Sequence, residues 1–134
     1  MPCRLGHGNE RNVPSPRRIE GLGPLGDGRK FKVACGGFHT AAIAEDGEVY
    51  TWGGGEHGQL GLGDKINKVT PTLVAGMDYP IVQITCGWSH TVALSSCGKV
   101  YTWGNGDHGK LGHGDSEKVR IEEAKRRLLI TKIL

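Results

Sequence analysis

The chain has 134 residues, 37% hydrophobic and 23% charged, which suffices for one ordinary domain and excludes a disordered tail. Its formal net charge of +3 is local: Glu117 to Lys132 holds six Lys/Arg against three Asp/Glu, and the remainder carries eleven of each sign. A neutral body argues against direct nucleic-acid binding, and no apolar run approaches the roughly 20 residues of a membrane span.

No apolar secretory core follows Met1. The cysteines Cys3, Cys35, Cys86 and Cys97 lack CxxC spacing, so the expectation is a reduced, intracellular protein, cytoplasmic or nuclear. The 23 glycines recur at fixed offsets and predict many tight turns.

Residues 1 to 30 read as the end of an earlier copy of a repeat. Arg4-Leu5-Gly6-His7-Gly8 matches Gln59-Leu60-Gly61-Leu62-Gly63 and Lys110-Leu111-Gly112-His113-Gly114. Pro16 follows Leu5 at the distance at which Pro71 follows Leu60. Phe31 to Cys35 alternates as a strand does. Thr40 to Ile43 is a second, apolar strand, and Glu45-Asp46-Gly47-Glu48 is a hairpin turn. Val49 to Trp52 is a β-branched and aromatic third strand. A glycine-rich loop covers Gly53 to Asp64. Thr72 to Val74 is a weak fourth strand, which Pro71 assigns to an edge.

The pattern then recurs. Val33 to Asp64 aligns without gaps on Ile84 to Asp115 at an offset of 51 residues, with 18 of 32 positions identical. The second copy predicts strands at Ile81 to Cys86, Thr91 to Leu94 and Val100 to Trp103, with a turn at Ser96 to Lys99. Four short strands per period of about 50 residues indicate a propeller blade. After Asp115 the register breaks, with Glu122 where a proline is due. Glu123 to Ile130 lacks Gly and Pro, and Ile121, Ala124 and Leu128 share one helical face, so this end is read as a helix or a frayed terminus.

The predicted fold is all-β: an incomplete β-propeller of two to three four-stranded antiparallel blades, with a C-terminal helix as an option. The corresponding units are 1–46, the C-terminal part of a first repeat; 47–98, a complete repeat; 99–115, the start of a third; and 116–134, a basic non-repeat tail.

Residues present in both copies are needed by the repeat before they are needed by a site. The G-x-G-x-x-G strings at Gly53 to Gly58 and Gly104 to Gly109 are followed by loop rather than by the helix that a dinucleotide fold requires. They read as turns, and no cofactor is expected. His39 with His90, and His57 with His108, are set on different blades by the repeat and offer no metal-ligand set. His39 and His90 stand between a C-G-x-x turn and a Thr-led strand, where an imidazole can tie down unpaired backbone groups. Asp64 and Asp115 read as Asx-type turn stabilisers, and Trp52 and Trp103 as core. No serine or cysteine has a catalytic partner arrangement, so no catalytic residue is assigned and an enzyme is not expected. Cys97, at the second hairpin tip, can be an exposed thiol. Trp88 replaces Gly37 and is the one large aromatic that the repeat does not demand. It is the candidate contact residue, weighed against simple packing.

C-G-x-x-H-T, the hairpin, V-Y-T-W-G-x-G-x-x-G-x-L-G-x-G-D and the following proline resemble the repeats of the regulator of chromosome condensation family over Arg4 to Asp115. Kelch repeats need a Gly-Gly doublet that becomes Gly87-Trp88 here, and WD repeats need a Trp-Asp ending. The resemblance implies a blade of a seven-bladed propeller, of which this chain holds about 2.6 periods of 51 residues. It implies a non-catalytic protein-interaction module, read as a fragment of a larger protein, with an unknown protein partner. The alternatives are guanine-nucleotide exchange on a Ran-like small GTPase, or a fragment without autonomous function. Two blades without a closed ring also expose apolar faces through which the chain can self-associate.

Overall fold

The computed structural model describes residues 4–22, 29–106, 112 and 129–130. These form two antiparallel four-stranded sheets in simple sequential order. The first contains β1 (Phe31–Cys35), β2 (His39–Ala44), β3 (Val49–Gly53) and β4 (Lys68–Leu73). The second contains β5 (Ile81–Cys86), β6 (His90–Ser95), β7 (Lys99–Gly104) and β8 (Leu129–Ile130). The incomplete all-β propeller expected from the repeat is therefore present as two blades.

Turn chemistry sets the register. Gly36 and Gly87 donate to the carbonyls of His39 and His90, closing the C-G-x-x-H turns that start β2 and β6. Gly47 and Gly98, both at positive φ, close the two hairpins by donating to Ala44 and Ser95. The register runs from Ile43↔Val49 to His39↔Gly53 in one blade and from Leu94↔Val100 to His90↔Gly104 in the other.

β4 begins earlier than expected, at Lys68 rather than Thr72, and Pro71 lies inside it. A register shift between Thr51 and Gly53 accommodates the proline, which lacks an N–H to give to the ladder. The strand is at the sheet edge.

The helical reading of the C-terminal stretch is corrected where the chain is described. Leu129 and Ile130 pair with Val100 and Lys99 as β8. An unfilled edge beside β7 offers backbone hydrogen bonds that outweigh a helical spacing of apolar residues. The preceding part of that stretch, 113–128, lies outside the described residues.

The main core is the seam between the blades. Ile43, Val49 and Val74 of the first blade pack on Ile81, Ala93, Tyr101 and Trp103 of the second. Fully burying each side chain of this size contributes about 1.5–3 kcal/mol. The opposite face of the first blade, with Ala42, Tyr50 and Trp52, is covered by Ile19, Leu22 and Phe31. Residues 4–22 therefore lie against the first blade as part of a preceding blade would.

Candidate functional site

One carbonyl clasps each blade to the segment before it. The Gln59 carbonyl accepts from Thr91 Oγ1 at 2.8 Å and from Trp103 Nε1 at 2.9 Å. The Arg4 carbonyl does the same for the first blade, accepting from Thr40 Oγ1 at 3.1 Å and Trp52 Nε1 at 2.9 Å. Trp52 and Trp103 are 1% and 0% exposed, so both indole N–H groups need these acceptors. Gly61 lies under the Trp103 indole at φ 73°, and a Cβ there would stand 2.8 Å from Nε1.

His39 extends the clasp across the seam. It is fully buried, and its Nε2 lies 2.9 Å from Thr91 Oγ1. The Thr91 proton is directed to the Gln59 carbonyl, so the imidazole donates and the Nε2–H tautomer is assigned. Its side-chain partner is thus a hydroxyl on the neighbouring blade. Burial, and after it the nearby His90, lower the His39 pKa to about 4, so the ring is neutral at physiological pH. His90 holds the equivalent place on the second blade and is half-buried.

Other sequence candidates lie apart from one another. Asp64 Oδ1 accepts from Ile66 N–H at 3.0 Å, an Asx turn, and Oδ2 lies 3.6 Å from Lys68 Nζ. Asp115 lies outside the described residues. The first G-x-G-x-x-G string runs from β3 into turns, where Asn67 Oδ1 accepts from the Gly55 N–H. Among the described residues no three His, Cys, Asp or Glu side chains group to hold a metal ion. Burial pushes the Cys86 thiol up to about 12, which leaves it unreactive, whereas Cys35 and Cys97 are exposed.

Trp88 has a different environment. Its ring is 69% exposed. Phe38 meets it edge-on, with centroids 5.2 Å apart and planes at 77°. Gly37 lies against its other edge: a Cβ at Gly37 would stand 2.6 Å from Trp88 Cδ2, and the Gly37 N–H donates to the Trp88 carbonyl at 3.1 Å. The Arg4 guanidinium sits over Phe38 at 5.9 Å from the centroid. Arg4, Phe38 and Trp88 thus form one exposed strip bridging the two blades.

Phe38 and Arg4 were not legible as site residues. Phe38 aligns with Ser89, and Arg4 falls in the poorly matched N-terminal copy. The available signal was the Gly37/Trp88 pair, a small residue facing a large one at equivalent positions of successive blades.

Profiles of the regulator of chromosome condensation (RCC1) repeat match residues 3–43, 46–94 and 97–130. The chain belongs to the RCC1 repeat family. Each RCC1 unit straddles a seam: residues 46–94 contribute β3 and β4 to one blade and β5 and β6 to the next. One sequence repeat therefore links two blades covalently. The chain is 41% identical over 120 residues to the human E3 ubiquitin-protein ligase HERC2, covering 87% of this chain and 2% of that protein. It is 40% identical over 116 residues to the Arabidopsis thaliana ultraviolet-B receptor UVR8, covering 85% of this chain and 26% of the receptor. Human WBSCR16 superimposes with a TM-score of 0.72 at 29% identity, over 89% of this chain and 31% of that one. This RCC1-repeat chain thus spans a small part of the relatives it matches.

Proposed function

We propose that this chain is a non-catalytic protein-interaction module and that Trp88 anchors the contact. The observation that carries this reading is an indole 69% exposed yet held in place by Phe38 and Gly37. An immobilised aromatic offers contact area without the entropy cost of ordering a mobile side chain, which is the character of an interface hot spot. The repeat supports the reading, because polar groups that recur in both copies (His39, Thr91 and Asp64) are engaged in holding the blades and turns together. The free thiols Cys35, Cys86 and Cys97 are compatible with a reducing compartment, and we place the protein inside the cell.

The test is quantitative proximity capture in cells, comparing the wild type with Trp88→Ala and with Val33→Ser, a control at another exposed apolar residue. Partners depleted by Trp88→Ala alone are the expected result. Identical capture profiles for all three would sink the assignment of Trp88.

A further inference from the structure

The strip that contains Trp88 also has a cationic end. The Arg4 side chain is exposed, and its guanidinium lies over the Phe38 ring, 5.9 Å from the centroid. Arg29 and Lys68 are engaged in ion pairs, whereas Arg4 makes none among the described residues. A cation–π contact uses no N–H, so it leaves the guanidinium donors available to a ligand. The backbone beneath is pinned, because the Arg4 carbonyl accepts from both Thr40 and Trp52.

The apolar end is fixed with equal care by its neighbours. Trp88 is braced by the edge of Phe38 and by the bare Cα of Gly37. Phe38 touches both ends. Its two contacts, 5.9 Å and 5.2 Å in series, put the guanidinium at most about 11 Å from the indole. That span is about three residues of extended chain.

We propose that the Arg4–Phe38–Trp88 strip binds an acidic peptide segment in which Asp or Glu stands two or three residues from a large apolar side chain. The carboxylate pairs with the Arg4 fork, and the apolar side chain covers the indole. A basic segment meets Arg4 as a like charge, and a purely apolar one leaves the cation unpaired against a desolvated surface. This partner chemistry rests on the interaction-module reading above.

The experiment pans a random heptapeptide phage library on the full chain and, in parallel, on Trp88→Ala. The expected result is enrichment, on the wild type only, of Asp or Glu two or three residues from Leu, Ile, Phe or Trp. Synthetic versions of those peptides should lose at least about tenfold in affinity on Arg4→Glu and on Trp88→Ala, and weaken with added salt. Both side chains are exposed, so melting temperatures should hold. Arg4→Ala removes the charge without reversing it and serves if the Glu variant melts early. Peptides that need Trp88, lack an acid and tolerate Arg4→Glu would overturn the acidic chemistry and leave the module reading standing. Equal enrichment on Trp88→Ala, or no enrichment, would overturn both. A dimer lost in Trp88→Ala would give the strip to a second copy of the chain and likewise overturn the proposal.

Discussion

His39 Nε2 donates to Thr91 Oγ1 at 2.9 Å across the seam between the two blades. Thr91 passes its own proton to the Gln59 carbonyl, which also receives the Trp103 indole N–H. One buried hydroxyl therefore joins β2, β6 and the loop after β3. Thr91→Val keeps the shape and removes both bonds, leaving the buried Nε2–H without its acceptor. The expected cost is about 1–3 kcal/mol in denaturant unfolding. A variant as stable as the wild type would show that the triad adds nothing to the seam.

The same histidine makes stability depend on pH. Its pKa is lowered from 6.5 to about 4 in the fold, so the unfolded chain takes up the proton first as pH falls. Full stability is present above about pH 6.5 and is lost through the window down to about pH 4, by about 3 kcal/mol in all. Urea midpoints measured across this window for the wild type and His39→Gln should converge as the pH drops. Parallel curves would exclude His39 as the source.

Gly61 and Gly98 both have positive φ, of 73° and 86°. A Cβ on Gly61 would stand 2.8 Å from Trp103 Nε1, whereas one on Gly98 meets nothing within 4 Å. Gly98→Ala should therefore cost only the backbone strain, about 1 kcal/mol. Gly61→Ala adds displacement of a fully buried indole, and thermal melting should show at least about twice that loss. Equal losses would mean that the indole moves aside freely.

The repeat made most of the fold legible, because each turn has its own signature: C-G-x-x-H before β2 and β6, and a glycine at positive φ in each hairpin. Two features were hidden by tertiary context. Pro71 looked like the start of a strand, but the bulge opposite Trp52 lets β4 extend back to Lys68. Leu129 falls in the stretch that the sequence reads as a helix or a frayed end, but it pairs with Val100 as Val74, whose N–H donates to the Val49 carbonyl, does in the first blade. The connection is four residues longer in the second blade, counted from Asp64 to Val74 and from Asp115 to Leu129, and that insertion disguised the match. At the candidate site, Trp88 stood out by breaking the repeat. Its neighbours could not, since Phe38 meets Trp88 and Arg4 meets Phe38 only after two blades and the N-terminal segment have packed.

β2 and β6 have equivalent sequences and different burial. All six residues of His39–Ala44 are buried, whereas His90–Ser95 alternates between half-buried and buried. The period of two identifies one face of the strand. Ile43 on that face of β2 is 3% exposed because the second blade covers it. Leu94, its counterpart on β6, is half-buried and lines a concavity of about 410 Å³ with Ile84 and Val92. The neighbour, and not the side chain, sets the value of the position. Ile43→Ala should cost about 2–5 kcal/mol, as a cavity in a close-packed seam does, and Leu94→Ala about 1 kcal/mol or less. If the chain self-associates through this face, the Leu94→Ala penalty should rise with protein concentration, because the partner copy then stabilises the folded form. Chemical denaturation at two concentrations about a hundredfold apart checks both statements, and equal losses at Ile43 and Leu94 in dilute solution would refute the contrast drawn from burial.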